Sequence, residues 1–222
     1  MSDYYPCELN LKGKKCLVVG GGEVAERKVD SLLSCGADVW VVSPELTTRL
    51  KGYAASQEIS HVRREYKTRD IEGAFLVIGA TDDERTNKKI AGDAFKSNLL
   101  VNIVDSPGLC NFIVPATMRR GKLAISVSTG GNSPALARKI REDLENIYGP
   151  EYVALTALLG NLRPQILKKI KDENGRKLFW QNLIKSDILE LIKTGQDEEI
   201  ERRIQEMMKE MQKTVTIYPN EV

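Results

Sequence analysis

A glycine-rich segment, Gly20-Gly21-Gly22-Glu23-Val24-Ala25, has the residue types and the spacing that bind phosphate groups. In a Gly-x-Gly-x-x-Ala pattern, the first glycine allows a tight turn and the second lets the backbone approach a pyrophosphate. The alanine permits close packing of helix on strand. A helix that begins at such a turn presents free N–H groups and the positive end of its dipole to the anion. The segment therefore predicts a dinucleotide site, with Glu23 and Val24 at the helix start.

The residues after the second predicted strand bear on which dinucleotide is bound. An acidic residue usually lies about 20 positions after the turn, where it bonds the ribose 2′-hydroxyl. Here the sequence reads Ser43-Pro44-Glu45, so the glutamate comes slightly late and Ser43 offers a hydroxyl in its place. No arginine follows immediately to hold a 2′-phosphate, and NAD is therefore favoured over NADP.

Two further polar groups follow predicted strands, where ligands of an open parallel sheet bind. Thr81 and Asp82 come after the strand at 75–80, and either line the cofactor site or cap the next helix. Asp105 comes after the strand at 100–104. Its carboxylate can accept the proton lost as a hydride leaves. The alternative interpretation is a turn-forming aspartate before a Ser-Pro dipeptide.

Residues 106–141 contain no Asp or Glu, although they are rich in basic side chains: Arg119, Arg120, Lys122, Arg138, Lys139 and Arg141. The same stretch holds a small polar loop that opens a helix: Ser128, Thr129, Gly130, Gly131, Asn132 and Ser133. Hydroxyls, free N–H groups and a helix N-terminus suit carboxylate or phosphate groups. The stretch therefore predicts an anionic substrate, and the alternative is a solvated basic face with a glycine turn.

The elements that must position these residues alternate along the chain. Strands are predicted at 15–19, 39–42, 61–66, 75–80 and 100–104, with helices from about 25, at 45–56 and at 83–98. This alternation is typical of a Rossmann-type parallel sheet that is covered on both faces.

The pattern changes after residue 105. A strand at 123–128 precedes a helix that starts at Ser133-Pro134 and runs to about Tyr148. Residues 151–213 have an almost wholly helical pattern. Three breaks are predicted there, at Pro164, Asn174-Gly175 and Thr194-Gly195.

Composition excludes several classes of protein. The 222 residues carry a net charge of +2 and are 41% hydrophobic, so no global field points to nucleic acid. The basic stretch has Phe112 as its one aromatic residue, and no DNA-binding motif is present. Neither a secretory signal nor a membrane span is visible, which predicts a cytoplasmic protein. The four cysteines form no Cys-x-x-Cys pair, and His61 is the single histidine, so no metal ligand set is predicted.

Five blocks in this order resemble the precorrin-2 dehydrogenase family, the dehydrogenase and ferrochelatase part of siroheme synthases: Val19–Lys28, Ala80–Asp83, Asn102–Asp105, Phe112–Pro115 and Ser128–Pro134. The opening Pro6–Gly13 is also similar to the start of that family. The resemblance covers about residues 4–150. The rest of the chain is similar only in its helical pattern.

The resemblance implies that NAD takes a hydride from precorrin-2 and that loss of a proton completes the oxidation to sirohydrochlorin. Some members then insert ferrous iron, and whether this chain does so stays open. The family implicates the aspartate that matches Asp105 in both activities. The substrate is a polycarboxylate, which fits the acid-free stretch. Asn102, the loop 128–133 and Arg138 are accordingly assigned to substrate binding.

The resemblance also implies a homodimer and a division into three parts. Residues 1–112 form the NAD-binding Rossmann domain, residues 113–149 a small α+β segment for dimerisation and substrate binding, and residues 150–222 a helical domain. Thr129 stands where the family often has a serine that some members modify, so control by modification is not carried over. The chain has no room for the methyltransferase domain that is fused in some members, so we expect another protein to supply precorrin-2.

A function of a different class is compatible with the same residues. A ligand-sensing module would bind NAD without catalysis, Asp105 would be dispensable, and the polar loop would contact a partner.

Overall fold

A computed structural model describes the backbone of residues 4–217 and the side chains of residues 4–210. The outermost parts of the predicted domains, residues 1–3 and 218–222, lie outside the described residues. The chain divides into two compact units. The first comprises residues up to 114 together with Gly130–Asn132, and the second comprises 115–129 and the residues from 133 onward. No helix within the described range is long and apolar enough to cross a membrane.

The first unit is built on a five-stranded parallel sheet. Its strands are β1 (Lys15–Val19), β2 (Asp38–Val42), β3 (Ile59–Val62), β4 (Leu76–Gly79) and β5 (Leu100–Ile103). Their spatial order is β3-β2-β1-β4-β5, and every neighbouring pair is parallel. The intervening helices are α1 (Glu23–Ser34), α2 (Thr48–Ala55) and α3 (Glu84–Lys96). The prediction of a Rossmann-type sheet is confirmed.

Both faces of the sheet are buried, which explains why its strands are continuous apolar runs. On one face, Val18 of β1 packs in a cluster with Ala25 and Val29 of α1. On the other face, Leu17 packs in a cluster with Ile90 of α3. The two helices thereby fix the carboxyl ends of the central strands, where ligands of this fold bind.

Two predicted elements of the first unit are misplaced. The helix predicted at 45–56 begins only at Thr48, because the Thr47 side chain caps it by accepting a hydrogen bond from Leu50 N at 3.2 Å. The strand predicted at 61–66 ends at Val62, whose carbonyl accepts a hydrogen bond from Arg64 N at 2.9 Å and turns the chain. Both shorter elements leave loop residues at the edge of the sheet.

A partly buried ion pair secures the loop after β3. The Arg64 guanidinium donates to both carboxylate oxygens of Asp70, at 2.8 and 2.6 Å, and Lys67 N donates to the same carboxylate at 2.8 Å. The hydrogen bond from Arg64 is the largest cause that lowers the pKa of Asp70 below its ordinary value. Bidentate hydrogen bonds between an arginine and a carboxylate are stronger than hydrogen bonds between neutral groups.

We expect Asp70→Asn to lower the free energy of unfolding at pH 7 by about 2 kcal/mol, the scale of a hydrogen bond to a charged group. The folded pKa of Asp70 is lowered, so its contribution is present above the ordinary value of 3.8 and is lost as pH falls through the folded pKa. Urea unfolding from pH 7 to pH 3 should show the wild type and the variant converging in acid. The exposed Glu72→Gln serves as the control, and a constant difference across this range would contradict the prediction.

The second unit opens with an antiparallel hairpin. Its strands are β6 (Ala116–Arg120) and β7 (Leu123–Val127), joined by the two residues Gly121-Lys122. Gly121 has a φ of 60°, which glycine adopts without strain. The strand predicted at 123–128 is confirmed, whereas β6 was not predicted.

Helix α4 (Pro134–Ile147) follows the hairpin, and its predicted start and end are confirmed. The Ser133 side chain caps it by accepting a hydrogen bond from Leu136 N at 3.2 Å. Beyond it lie α5 (Glu151–Lys169), α6 (Glu173–Lys185), α7 (Ile188–Lys193) and α8 (Asp197–Ile217), which share one apolar core.

Two of the three predicted breaks among these helices are wrong. Helix α5 continues through Pro164, because Leu162 and Ile166 on either side are buried in the helical core. The Asn174-Gly175 pair lies in the first turn of α6, where the Asp172 side chain caps the helix by accepting from Gly175 N. The break at Thr194-Gly195 is confirmed between α7 and α8.

Candidate functional site

The glycine turn after β1 is packed against the neighbouring strand ends. Gly20 has a φ of 122°, and a Cβ atom there would lie 2.1 Å from the carbonyl oxygen of Ala80. A Cβ atom on Gly21 would lie 1.9 Å from the carbonyl oxygen of Glu45. Gly20 N donates to the Val42 carbonyl at 3.0 Å. Glycine is therefore required at both positions by the close approach of three chain segments.

Gly22 differs from its two neighbours because a Cβ atom there would meet nothing within 4 Å. It is the N-cap residue of α1, and its backbone is extended rather than left-handed. The backbone at Gly22 thus borders open space at a helix N-terminus, the arrangement that accepts a pyrophosphate. Ala25 is fully buried beneath the helix and packs against the sheet.

A cavity of about 800 Å³ lies over the turn, at the carboxyl ends of β1, β2 and β4. Its size is typical of a small-molecule site. The lining residues include nine of the ten predicted cofactor-binding residues: Gly20, Gly22, Glu23, Val24, Ser43, Pro44, Glu45, Thr81 and Asp82. Ala25 is the tenth, and it is not among the lining residues.

Gly21, part of the predicted turn, also lines the cavity, whereas sequence reasoning missed several other lining residues: Thr47, Glu65, Tyr66, Asp83 and Thr86. Thr47 joins the turn to α2, because its N–H donates to Gly21 O at 3.0 Å and its hydroxyl donates to the Glu26 carboxylate at 2.5 Å. A threonine just before a helical pattern is a usual N-cap signal, so this residue was predictable.

The predicted ribose end of the site is built by a short loop after β2. The Ser43 hydroxyl donates to Glu45 O at 2.7 Å, and His61 Nε2 lies 3.0 Å from Ser43 O. Ser43 is buried, whereas Glu45 is exposed at the cavity wall. Glu45 thus lies in a loop before α2 rather than within a helix, and it lines the cavity.

The charged residues that line the cavity are all acidic: Glu23, Glu45, Glu65, Asp82 and Asp83. No Lys or Arg is among the lining residues in the part of the chain that the structure describes. A 2′-phosphate would meet carboxylates and find no cation to bind, so this wall disfavours NADP.

The segment after β4 both lines the cavity and caps the next helix, and different residues do the two. Asp83 caps α3, since its carboxylate accepts from Arg85 N at 3.2 Å and Thr86 N at 3.0 Å. A hydrogen bond from the Thr86 hydroxyl is the largest cause that lowers the pKa of Asp83. Thr81 and Asp82 precede the cap and line the cavity.

Asp105 lies just beyond β5, the strand next to β4, and its side chain is exposed. Its φ is 56°, a left-handed conformation in which Asp and Asn are enriched among residues that carry a side chain. Asp105 is not among the residues that line the cavity. The structure therefore places it at the same edge of the sheet as the cofactor residues without bringing it into their cavity.

The loop that carries Asp105 is held against β5 by polar contacts. Cys110 Sγ accepts from Ile103 N at 3.1 Å and lies 3.3 Å from Ser106 O. The Asn102 side-chain nitrogen donates to Phe112 O at 3.1 Å. The amide nitrogen of Asn102 is thus committed to the loop, which gives this predicted substrate residue a structural task as well.

The predicted polar loop, Ser128–Ser133, is closed by hydrogen bonds of the Thr129 hydroxyl. The Thr129 hydroxyl accepts from Ser133 N at 2.9 Å and donates to Ser133 O at 3.1 Å. Gly130 and Gly131 have φ angles of 62° and 89°. The Ser128–Ser133 segment therefore forms a compact turn directly before the N-terminus of α4.

Half of the basic residues of the acid-free stretch are engaged by nearby acceptors. Arg120 donates to Tyr148 O at 3.0 Å, Lys139 pairs with Asp143, and Arg141 pairs with Glu142 and Glu145. Arg138 is exposed on the first turns of α4. Fewer of its cationic side chains are therefore available to a ligand than the sequence indicates.

Together, the parallel sheet, the glycine turn and the cavity define a Rossmann-type dinucleotide-binding protein. Family models match nearly the whole chain in three consecutive segments: a putative NAD(P)-binding domain at residues 8–116, a sirohaem biosynthesis central region at 120–147, and a sirohaem synthase dimerisation region at 151–208.

Individual relatives agree with these matches. Siroheme synthase from Methylobacillus flagellatus is 37% identical over 203 residues, which are 91% of this chain and 44% of the relative. Siroheme synthase from Thioalkalivibrio sulfidiphilus is 39% identical, over 88% of this chain and 40% of the relative. The chain therefore spans about two fifths of the length of these relatives.

A solved structure, SirC, a precorrin-2 dehydrogenase, is similar over its full length. It is 28% identical, covers 93% of this chain, and has a TM-score of 0.78. Within the dinucleotide-binding class, this chain belongs to the family of precorrin-2 dehydrogenases and the corresponding part of siroheme synthases. The resemblance seen in the sequence is confirmed.

Proposed function

We propose that this protein catalyses the NAD-dependent oxidation of precorrin-2 to sirohydrochlorin. The observation that carries the proposal is a dinucleotide cavity on a sheet whose next strand ends in an exposed carboxylate, Asp105. Membership of the family supports the substrate, because relatives named siroheme synthase are similar in sequence and a protein named precorrin-2 dehydrogenase shares the fold.

The residues of the cavity fit NAD. Gly22 leaves the helix N-terminus open to a pyrophosphate, and Ser43 to Glu45 offer a backbone loop and a carboxylate to a ribose. When bound, NAD supplies the acceptor for the hydride that the substrate loses. The role of the protein is to hold NAD in place and to receive the proton that accompanies the hydride.

Asp105 is proposed as the proton acceptor. Its side chain is exposed and makes no hydrogen bond within the described residues, so its oxygens are available to a substrate. Hydrogen bonds of Cys110 and Asn102 hold its loop in one conformation. Proton transfer therefore costs less conformational entropy than it would from a mobile loop.

Substrate binding is proposed for Asn102, for the polar loop Ser128–Ser133 and for Arg138. Support comes from the exposed guanidinium of Arg138 and from the glycine-rich turn at the start of α4, since both suit the carboxylates of a polyanionic substrate.

We expect NAD to bind at least tenfold more tightly than NADP. The acidic wall of the cavity opposes a 2′-phosphate, and tenfold corresponds to about 1.4 kcal/mol. Isothermal titration of the protein with NAD and NADP measures this ratio. If the 2′-position faces the carboxylates, Glu45→Gln should bring the affinities for NAD and NADP closer together. Equal affinities in the wild type would show that the 2′-position does not face them.

The activity itself is tested by incubating the purified protein anaerobically with NAD and precorrin-2, while NADH and sirohydrochlorin are followed together. Formation of both in equal amounts is the expected result. NAD binding without either product would contradict the enzyme and favour the ligand-sensing module. Adding ferrous iron or cobalt to the product afterwards tests whether metal insertion follows.

We also propose a homodimer and a cytoplasmic location. The dimerisation-region match at residues 151–208 supports the dimer. So does the apolar face of α4 in the segment 113–149, where Leu136, Ile140 and Ile147 are exposed. The four cysteines are all free thiols, as is usual in a reducing compartment. The three-part division at residues 112 and 149 stays a prediction.

A further inference from the structure

The second unit has a cavity of its own, which is lined by helices α5 and α6. Its volume is about 610 Å³, within the range of small-molecule sites. None of the predicted cofactor or substrate residues lines it, so the proposed reaction leaves this cavity without a role. The lining residues together form the α5–α6 groove: Leu159, Gly160, Arg163 and Leu167 from α5, and Glu173, Arg176, Lys177 and Trp180 from α6.

The α5–α6 groove has an apolar and aromatic part. Leu159 and Trp180 are both half-buried there. The Trp180 ring packs edge to face on the fully buried ring of Phe179, with the ring centroids 5.2 Å apart, and this contact holds the indole in place. Within the described residues, the indole N–H has no hydrogen-bond acceptor. The groove therefore offers a ligand a fixed aromatic surface and a free donor.

The charged side chains that line the groove are three cations and one carboxylate. Arg163 and Lys177 are exposed, and neither makes a hydrogen bond or an ion pair within residues 4–210. Arg176 is half-buried, and its Nη1 donates to two backbone carbonyls just before α6, at 3.1 and 2.6 Å. Glu173 is the one carboxylate and lies in the first turn of α6. The net charge of the lining is therefore positive, and guanidinium groups bind carboxylates well.

A glycine inside α5 is not required by the packing of the chain. Gly160 lies in the middle of this 19-residue helix, where glycine is less favourable than alanine. A Cβ atom at Gly160 would meet nothing within 4 Å. The chain itself thus makes no use of the space that the missing side chain leaves, whereas a flat ligand in the groove would occupy it.

We propose that the α5–α6 groove binds a planar, conjugated polycarboxylate, the chemical class to which sirohydrochlorin belongs. The ring system stacks on Trp180, and the carboxylates at its edge bind Arg163, Arg176 and Lys177. An uncharged aromatic ligand would leave these cations unpaired, and an aliphatic anion would leave the indole uncovered. The choice of a tetrapyrrole among the members of this class rests on the proposed function. The groove is a holding site, and no covalent step takes place in it.

The binding test uses the fluorescence of Trp180. The chain has two tryptophans, and Trp40→Phe leaves Trp180 as the single one. Uroporphyrin, a stable tetrapyrrole polycarboxylate, is titrated into this variant while the tryptophan emission is followed. We expect saturable quenching. A porphyrin of similar size that carries only cationic groups should not quench the emission at the same concentrations, because it would meet the cations of the groove.

Matched double variants locate the binding site. Arg163→Gln with Lys177→Gln removes the two exposed cations of the groove, and Lys168→Gln with Lys185→Gln removes the same charge from the same helices outside it. In the Trp40→Phe background, we expect the first pair to raise the Kd for uroporphyrin at least tenfold. The second pair should change it less than twofold. Both pairs should oxidise precorrin-2 with the kcat of the wild type.

A further variant fills the open space in the groove. Gly160→Ala should raise Tm, because alanine is the better helix former, and should also raise the Kd for uroporphyrin at least threefold. These opposite effects on stability and binding separate loss of the ligand site from loss of the fold. A higher Tm with an unchanged Kd would place the porphyrin elsewhere and would overturn the proposal.

Other results would overturn it as well. Absence of saturable quenching would show that no porphyrin binds, and quenching that both double variants leave unchanged would show energy transfer to a porphyrin bound elsewhere. Equal weakening by both pairs would show attraction by net charge alone. A shift of the monomer–dimer equilibrium in Arg163→Gln with Lys177→Gln, measured by sedimentation, would make the groove a subunit interface.

The titration contains neither NAD nor precorrin-2, so its outcome is independent of the enzymatic activity. Binding that is weakened by the groove variants, in a protein that forms no sirohydrochlorin, would reject the proposed function alone. Formation of sirohydrochlorin by a protein whose Trp180 emission does not respond to uroporphyrin would reject the groove site alone.

Discussion

Asp105→Asn is expected to lower kcat for precorrin-2 oxidation at least a hundredfold, while the Kd for NAD changes less than twofold. Removal of a general base typically costs about 10²- to 10⁴-fold. NAD binding should persist, because Asp105 does not line the cavity that holds the glycine turn. Steady-state kinetics under saturating NAD, with a separate NAD titration, measures the two effects.

Asparagine is the right replacement because of the backbone at this position. Asp105 has a φ of 56°, and Asn tolerates this left-handed conformation, whereas alanine would add about 1–2 kcal/mol of strain. The exposed Glu84→Gln on α3 is the control for loss of a carboxylate elsewhere. Turnover in Asp105→Asn within threefold of wild type would exclude Asp105 as the proton acceptor and restore its reading as a turn residue.

The sheet and the glycine turn were predictable because each depends on local rules. Apolar runs bounded by glycines predict buried parallel strands, and a Gly-x-Gly-x-x-Ala pattern between a strand and a helix predicts a phosphate site. Nine of ten cofactor residues line the cavity for this reason. Ala25 does not, because its part in the motif is to pack the helix on the sheet.

What the sequence left open depends on side chains that meet across the chain. The cap at Thr47 moves the start of α2 by a few residues and leaves Glu45 in a loop that lines the cavity. The Thr47 hydroxyl also donates to the Glu26 carboxylate, a partner that lies 21 residues earlier in the chain. Periodicity carries no information on such pairs.

The sequence also does not show which basic residues are already bound to other groups. Arg120 and Arg141 belong to an acid-free stretch, yet both bond to acceptors on α4 or just beyond it. The absence of acids within residues 106–141 therefore overstates the free positive charge. Counting charges along a sequence predicts the sign of a surface, and only the fold decides which cations a ligand can reach.

The largest effect on NAD affinity is expected from Gly22→Ala, which should weaken binding at least tenfold with little change in stability. A methyl group at Gly22 meets nothing within 4 Å, and the backbone conformation there is open to any residue. The apoprotein should therefore fold, with a cost of a few tenths of a kcal/mol for alanine in place of glycine at an N-cap. The methyl group would occupy the space through which a pyrophosphate approaches the backbone.

Gly21→Ala gives the contrasting result and makes the comparison decisive. Its methyl group would lie 1.9 Å from Glu45 O and 2.7 Å from the Ser43 hydroxyl, so the loop after β2 must shift. We expect a loss of about 3 kcal/mol or more in the free energy of unfolding, the scale of severe overpacking. Gly92→Ala on α3, where a methyl group also meets nothing within 4 Å, controls for the substitution and should stabilise the protein slightly.

Urea unfolding without NAD, followed by NAD titration of each variant, separates the effects of the Gly21 and Gly22 substitutions. If Gly22→Ala bound NAD as tightly as wild type, the pyrophosphate would not lie against this turn. The tight packing of Gly21 would then be a feature of the fold alone.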